Sequence, residues 1–119
     1  GMPGLIVHKL AAPAALKPGQ TVIARVDATT RLATMRHHTS THLLQAALQS
    51  VLGRHVKQAG SVNDPTRLRF DFTHYAAVSP EERAEIERLV NEQVLANSAV
   101  DTNVMSLDEA LSSGAMALF

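Results

Sequence analysis

The sequence predicts an α+β domain in which an antiparallel sheet packs against helices. Two segments repeat apolar residues at the spacing of an amphipathic helix, and each carries a start or stop signal for a helix. Residues 67–73 instead alternate apolar and polar side chains, as a half-buried strand does, and a turn sequence separates them from an earlier strand candidate. The 119 residues fit one domain, and a composition that is 45% hydrophobic but only 3% aromatic predicts an aliphatic core.

The first third of the chain is predicted to be β-structured. Residues 5–10 are apolar enough for a strand, and residues 21–27 alternate in the manner of a second strand. Pro18-Gly19 is a turn signal between them. Residues 31–35 are a third strand candidate.

A helix is predicted next, from Thr39 to Gly53, with Thr39 as its N-cap and Gly53 just beyond its last turn. On a helical wheel with about 100° per residue, apolar and polar residues separate onto opposite sides. The apolar side consists of Leu44, Ala47, Leu48 and Val51, and the polar side of His38, His42, Gln45 and Gln49. The core is therefore expected on the side away from the histidines.

Residues 55–62 and 67–73 are predicted to form a hairpin around the turn Asn63-Asp64-Pro65-Thr66. Gly60 is a poor strand residue and indicates a bulge or the close approach of another group. The inward-facing residues of the second strand are Leu68, Phe70 and Phe72.

A second helix is predicted to begin after Ser79, because Ser79 and Glu82 form a capping box around Pro80, and to end near Asn97. Its buried stripe consists of Ile86, Leu89, Val90 and Val94.

The last part of the chain is predicted to hold a short strand and a short helix. The strand covers residues 99–105, and the capping box of Ser106 and Glu109 opens a helix that Gly114 stops. Residues 115–119 are apolar, so another segment is expected to follow them or pack against them.

Composition excludes several classes of protein. Lys+Arg and Asp+Glu each number 11, which argues against a protein whose whole surface is positively charged for binding nucleic acid. The absence of cysteine excludes a disulfide framework and a thiolate ligand or nucleophile. No apolar run reaches the length needed to span a bilayer and no signal peptide opens the chain, so a cytoplasmic protein is expected and no membrane partner.

His38 and His42 are the first candidates for chemistry. Four residues apart on a helix, two imidazoles share a face and can reach one metal ion at about 2.0–2.1 Å each. The alternative is that they are polar histidines near a helix start, solvated or hydrogen bonded. His37 falls elsewhere on the wheel, and none of the other histidines, which are His8, His55 and His74, has a spacing that marks it as a third ligand.

Four further residues are candidates, each with a structural alternative. Thr41 lies between the two histidines and is placed to bind a ligand, or it is simply a first-turn helix residue. Gln58 is a candidate for orienting a reacting group, or an ordinary outward-facing strand residue. Arg67 and Arg69 project from one strand face toward phosphates, or they form a solvated face with a cross-strand charge pair to Asp71.

Several motifs together resemble the alanyl-tRNA synthetase editing domain. They are RHHTSTHLL at 36–44, QAAL at 45–48, VLG at 51–53, VKQAGS at 56–61, RLRFDFTH at 67–74 and MALF at 116–119. Their order and spacing agree over roughly residues 20–119.

The resemblance implies the fold shared by threonyl- and alanyl-tRNA synthetase editing domains and by free-standing trans-editing proteins. It implies that residues 1–36 are a β-structured segment like the tail of the preceding β-barrel, and that residues 37–119 are the N-terminal part of the editing domain. It also implies hydrolysis of tRNA for alanine that carries serine or glycine by mistake. Two of the family's zinc ligands fall on His38 and His42, and its threonine and editing glutamine fall on Thr41 and Gln58.

The chain departs from the family pattern at the zinc site. It ends before the segment that supplies the second pair of zinc ligands, and it has no cysteine. A zinc site made by this chain is therefore incomplete, and a second chain is expected to supply the missing half. Aminoacylation motifs are absent, so the chain cannot charge tRNA alone. The alternative functions are a non-catalytic tRNA-binding domain and a self-associating domain, and a homo-oligomer is expected from uncovered apolar surface.

Overall fold

Five regular elements make up the described part of the chain. The computed structural model describes residues 4–5, 7–10 and 15–115. The elements are helix α1 (Ala28–Leu52), strands β1 (Gln58–Asn63) and β2 (Leu68–Phe72), helix α2 (Pro80–Ala96) and the short helix α3 (Leu107–Ser112). Strands β1 and β2 pair antiparallel, and α1 packs against both strands and against α2. The predicted α+β class is confirmed, with a sheet of two strands.

Helix α1 begins about three turns earlier than predicted. Asp27 is the N-cap, and its Oδ1 accepts a hydrogen bond of 2.6 Å from the amide of Thr30. The predicted strand at 31–35 and the predicted N-cap at Thr39 are therefore wrong. Extending a helix costs less free energy than starting one, whereas a strand needs a neighbouring strand to form hydrogen bonds with its backbone groups. A capped extension of the amphipathic segment is thus the more stable choice.

Two other predicted strands are also absent. The residues at 21–27 and at 99–105 have no regular secondary structure. In the strand predicted at 5–10, the described residues also have no regular secondary structure. Residue 6 of that strand lies outside the described part of the chain. Residues 116–119, in the apolar C-terminal stretch, lie outside it as well. No helix in the ranges described is long and apolar enough to cross a membrane. The division of the chain at residues 36 and 37 stays a prediction.

The hairpin confirms the role predicted for Gly60. The register pairs Gln58 with Phe72 and Gly60 with Asp71, and the irregularity between these pairs is a bulge. A Cβ on Gly60 would lie 2.9 Å from Oδ2 of Asp71, closer than such contacts normally come. Glycine is required there because the carboxylate of the partner strand occupies the space of a side chain.

The core lies where α1, the hairpin and α2 meet. It is aliphatic at its centre, as predicted, and aromatic only at its edge. The buried residues are Ala47, Leu48, Leu52, Val56 and Ile86, and Leu44, Val51, Phe70, Phe72, Val78, Leu89 and Val90 pack around them. Val94, predicted to belong to this stripe, is exposed, and it lines an open cavity beside α1.

Local signals define both C-terminal helices. The capping boxes predicted at Ser79 and Ser106 are both formed, with the serine side chain and the N3 glutamate bonding reciprocally to the backbone. Helix α2 ends at Asn97, which adopts the left-handed conformation with φ 46°. Helix α3 ends just before Gly114, which has φ 86°. The predicted bounds of these helices are confirmed.

The carboxylate of Asp64 organises the turn between the strands. Its Oδ1 accepts hydrogen bonds from the Thr66 hydroxyl at 2.6 Å, the Thr66 amide at 2.7 Å and the Arg67 amide at 2.9 Å. The bonds from Thr66, helped by Arg67, lower the pKa of Asp64 from its ordinary 3.8 to about 2. The side chain thus supplies the acceptor that closes the predicted turn.

We expect Val56→Ala to lower the free energy of unfolding by about 2–3 kcal/mol, because two buried methyl groups are lost and a cavity is left. Val56 is 0% exposed, whereas Val104 is 99% exposed. Val104→Ala is the matched control and should change the stability by less than about 0.5 kcal/mol. Urea unfolding followed by circular dichroism measures both, and equal midpoints for the two variants would contradict the described core.

Asp64→Asn should weaken the acid sensitivity of the fold. Because the folded-state pKa of Asp64 lies below its ordinary 3.8, its ionised form stabilises the fold at higher pH. That contribution is lost as the pH falls from about 4 toward about 2. The wild type should therefore lose more stability than Asp64→Asn between pH 6 and pH 3, measured by urea unfolding at each pH.

The control for this test is Asp101→Asn, which removes an exposed carboxylate outside the turn. It should keep the acid sensitivity of the wild type. A carboxyl carbon of Asp64 that titrates near 3.8 in an NMR experiment would show that the turn does not hold the ionised form.

Candidate functional site

His38 and His42 lie side by side on α1, one helical turn apart. Their Nε2 atoms are 3.3 Å apart, and their ring centroids are 5.0 Å apart with planes tilted by 45°. Both side chains are exposed, and both are carried by the middle of a 25-residue helix, which fixes their backbone positions. The structure therefore brings together the two residues that the helical spacing selected.

The spacing of the two nitrogens suits a shared zinc ion. Two nitrogens bound at about 2.0–2.1 Å in a tetrahedral arrangement lie roughly 3.3–3.4 Å apart. The observed 3.3 Å matches that separation, and it is also the length of a hydrogen bond between the two rings. Within the ranges the structure describes, no group of three His, Cys, Asp or Glu side chains is placed to hold a metal. These residues thus fit two of four ligand positions.

His37, which the helical wheel placed off the metal-binding face, links α1 to the hairpin turn by a hydrogen bond. Its Nδ1 lies 2.6 Å from the carbonyl oxygen of Asp64, so the ring donates a hydrogen bond from Nδ1. This contact spans 27 residues of sequence and holds the helix against the turn right beside His38. The one sequence signal for this contact was the position of His37 off the metal-binding face of the helical wheel.

Thr41 is buried rather than open to a ligand. It is 4% exposed, and its Oγ1 lies 3.0 Å from the His37 carbonyl and 2.7 Å from Oδ1 of Asn63. A hydroxyl has one proton, so it donates to one of these oxygens, and an Asn63 amide turned by 180° satisfies both contacts. Thr41 therefore joins α1 to the end of β1, and its catalytic role stays a prediction.

Gln58 lies at the other end of β1 from the Thr41 contact. It is the first residue of the strand, pairs with Phe72 and is half-buried. Thr41 instead touches Asn63, the last residue of the same strand. The structure therefore holds Thr41 and Gln58 at opposite ends of β1, and the role of Gln58 stays a prediction.

Part of the polar stripe on α1 faces the protein interior. The side-chain amides of Gln45 and Gln49 both donate to the carbonyl oxygen of Val56, at 3.2 Å and 2.9 Å. Gln45 is 2% exposed, and its Oε1 has no hydrogen-bond partner among the described residues. The expectation that this stripe points away from the core is therefore wrong for Gln45, because a backbone carbonyl on the hairpin draws its amide inward.

Arg67 and Arg69 both have carboxylate neighbours. Arg67 Nε lies 3.4 Å from Oδ2 of Asp64, and an Arg69 guanidinium nitrogen lies 3.1 Å from Oδ2 of Asp71. The pair with Asp71 forms within β2 and not across strands. Exposed pairs of this kind contribute little stability and exchange readily with other anions.

A cavity of about 570 Å³ opens on another side of α1, between its first half and the end of α2. Its apolar walls are formed by Leu32, Met35, Leu43, Val94 and Val100. Neither the histidine pair nor Thr41 nor Gln58 lines it. The cavity is therefore separate from the candidate metal site.

Comparison with known proteins gives one consistent result. No protein-family model matches the chain. The alanine–tRNA ligase of Solibacter usitatus is 56% identical over 119 residues, that of Desulfitobacterium hafniense 54% over 120 residues, and that of Thermotoga petrophila 51% over 117 residues. These matches cover 98–100% of the chain but only 14% of each of these relatives. Along its whole length, the chain is therefore similar to one segment of alanine–tRNA ligases.

Proposed function

We propose that the chain is part of an editing module that hydrolyses the ester between serine or glycine and the tRNA for alanine. The observation that carries this proposal is the 3.3 Å spacing of the His38 and His42 Nε2 atoms, which suits a shared zinc ion. Similarity to alanine–tRNA ligases over the whole chain supports the same substrate class. The fold is proposed to be of the editing-domain type, and a cytoplasmic location is proposed with it.

The residues of α1 supply the fixed part of the site. His38 and His42 would hold the zinc through Nε2, and His37 keeps their helix against the hairpin through Asp64. When bound, the zinc supplies Lewis-acid polarisation to an ester carbonyl or a water molecule. The remaining ligand positions are left for solvent, the substrate or a second chain.

Gln58 and Thr41 have distinct roles in this proposal. The Gln58 amide carries both donors and an acceptor, so it is suited to orient the attacking water or the ester. Water adds to the ester carbonyl, the bond to the ribose oxygen breaks, and a free amino acid and a free tRNA hydroxyl result. Thr41 acts on this step through position, since its hydroxyl fixes α1 to Asn63.

Arg67 and Arg69 are proposed to contact tRNA phosphates. Both guanidinium groups are exposed, and each is paired with one partly exposed carboxylate. A phosphate can replace such a weak, solvent-screened partner at small cost.

His42→Ala should lower zinc affinity at least tenfold and abolish release of serine from mischarged tRNA for alanine, because one of two nitrogen donors is lost. Zinc binding is measured by calorimetry, and release by a deacylation assay on the same preparation. His8→Ala, which removes another exposed histidine, is the control and should change neither quantity. Gln58→Ala should keep zinc affinity and lose turnover.

Two other results of the zinc-binding and deacylation measurements would contradict the metal site or the hydrolysis. Equal zinc affinity of wild type and His42→Ala would exclude the metal site. Zinc binding without release of serine would instead favour the non-catalytic tRNA-binding alternative.

The apolar cavity between α1 and α2 favours a second function, self-association or docking of a second chain. Leu32, Met35, Val94 and Val100 are exposed around it. We expect light scattering to report a mass above that of the monomer, reduced by Val100→Asp, with Asn103→Asp as control. A monomer at all concentrations would contradict self-association.

A further inference from the structure

Three aromatic rings gather at the open end of the hairpin, away from the turn. The centroid of His55 lies 4.8 Å from that of Tyr75 and 5.1 Å from that of His74, and the His74 and Tyr75 centroids are 4.6 Å apart. We refer to His55, His74 and Tyr75 as the ring cluster. Nothing in the chemistry proposed above uses these residues.

The hairpin register explains why the rings meet. Gln58 pairs with Phe72, and the backbone of Lys57 bonds to that of Thr73, so the same antiparallel register places position 55 opposite position 75. His55 and Tyr75 stack with planes 29° apart, and Nε2 of His55 lies 2.9 Å from Nδ1 of His74. The cluster is therefore a product of strand pairing and is invisible in sequence spacing.

The cluster presents aromatic surface to solvent. Tyr75 is 83% exposed, although it touches both other rings, and His55 is exposed as well. A ring that is stacked on one side and open on the other offers its free face to a planar ligand. Unpaired nucleobases are planar ligands that proteins bind by stacking on such rings.

The backbone beneath the cluster is held rigidly. Val56, next to His55, is fully buried, and its amide donates to the carbonyl of Gly53 at 3.2 Å. The carbonyl oxygen of Val56 accepts hydrogen bonds from the side-chain amides of Gln45 and Gln49. A preformed surface loses less conformational entropy on binding than a mobile loop.

Positive charge flanks the rings. Arg54 and Lys57 lie on either side of the His55–Val56 pair, and both are exposed. In the part of the chain that the structure describes, neither forms an ion pair. Stacking rings beside cations form the arrangement used to bind single-stranded nucleic acid, in which rings take bases and cations take phosphates.

We propose that the ring cluster stacks on an unpaired base of RNA while Arg54 and Lys57 hold the flanking phosphates. The proposal rests on the proposed function in one respect, that this RNA is the single-stranded end of a tRNA. A metal is the less suitable occupant, because the 2.9 Å between the two imidazole nitrogens is shorter than the separation of two zinc ligands. Two zinc ligands would stand roughly 3.3–3.4 Å apart, as His38 and His42 do.

The test uses the fact that Tyr75 is the only tyrosine in a chain without tryptophan. Titration of the 119-residue chain with a hexa-adenylate RNA should quench the tyrosine fluorescence. A hexamer of ribose phosphate without bases should bind about tenfold more weakly and leave the fluorescence unquenched. Equal binding of the two oligomers would overturn the proposal.

Variants locate the binding surface. Tyr75→Ala should weaken binding of end-labelled hexa-adenylate about tenfold, measured by fluorescence anisotropy, whereas Tyr75→Phe should retain it because the ring remains. Leu95→Ala is the matched control, since Leu95 is also 83% exposed but lies on α2. Unchanged affinity of Tyr75→Ala would overturn the proposal, and so would zinc binding that His74→Ala abolishes and His42→Ala preserves.

The two proposals fail separately. Binding that depends on bases and on Tyr75 in a chain that releases no serine would refute only the editing function. Release of serine by a chain that does not distinguish the base-bearing oligomer would refute only the ring-cluster proposal.

Discussion

The carbonyl group of Val56 is the point at which the helix and the hairpin are joined. The side chain of Val56 is fully buried in the core. Its carbonyl oxygen accepts hydrogen bonds from two side-chain amides of α1. A buried carbonyl without partners would cost free energy, so Gln45 and Gln49 are drawn toward the hairpin. With Thr41 bonded to Asn63 and His37 to Asp64, α1 is fixed to both ends of β1.

The same contacts fix the backbone that carries His38 and His42. The side chains of His37, Thr41, Gln45 and Gln49 bond to the hairpin or to Val56 just before it, whereas His38 and His42 are exposed. The two metal candidates are therefore exposed while their backbone is held in place. Such support would limit the movement of the two side chains at the proposed metal site.

Two pairs of histidines in this protein differ in geometry, and we propose a different kind of ligand for each. The pair on α1 comes from one helix and holds its nitrogens 3.3 Å apart, which suits tetrahedral ligation. The pair at the open end of the hairpin comes from opposite strands, lies 2.9 Å apart and is stacked against a tyrosine. We propose a metal ion for the first pair and a flat ligand for the second, although the residue type is the same.

Sequence alone determined the features that depend on neighbours in the chain. The capping boxes at Ser79 and Ser106, the bulge at Gly60, the turn at Asp64 and the four-residue spacing of His38 and His42 are all local, and the structure has each of them. Asp27 was also a local signal, but residues 31–35 were predicted to form a strand.

Only the tertiary structure decided the features that join distant segments. Strands at 21–27 and 99–105 were predicted from the local residue pattern, yet strands form only where a partner satisfies their backbone groups. The burial of Thr41 and Gln45, the bond from His37 to Asp64 and the ring cluster all span 11 residues or more. Such contacts depend on how the hairpin lies on α1, and side-chain periodicity along one segment contains no information about that placement.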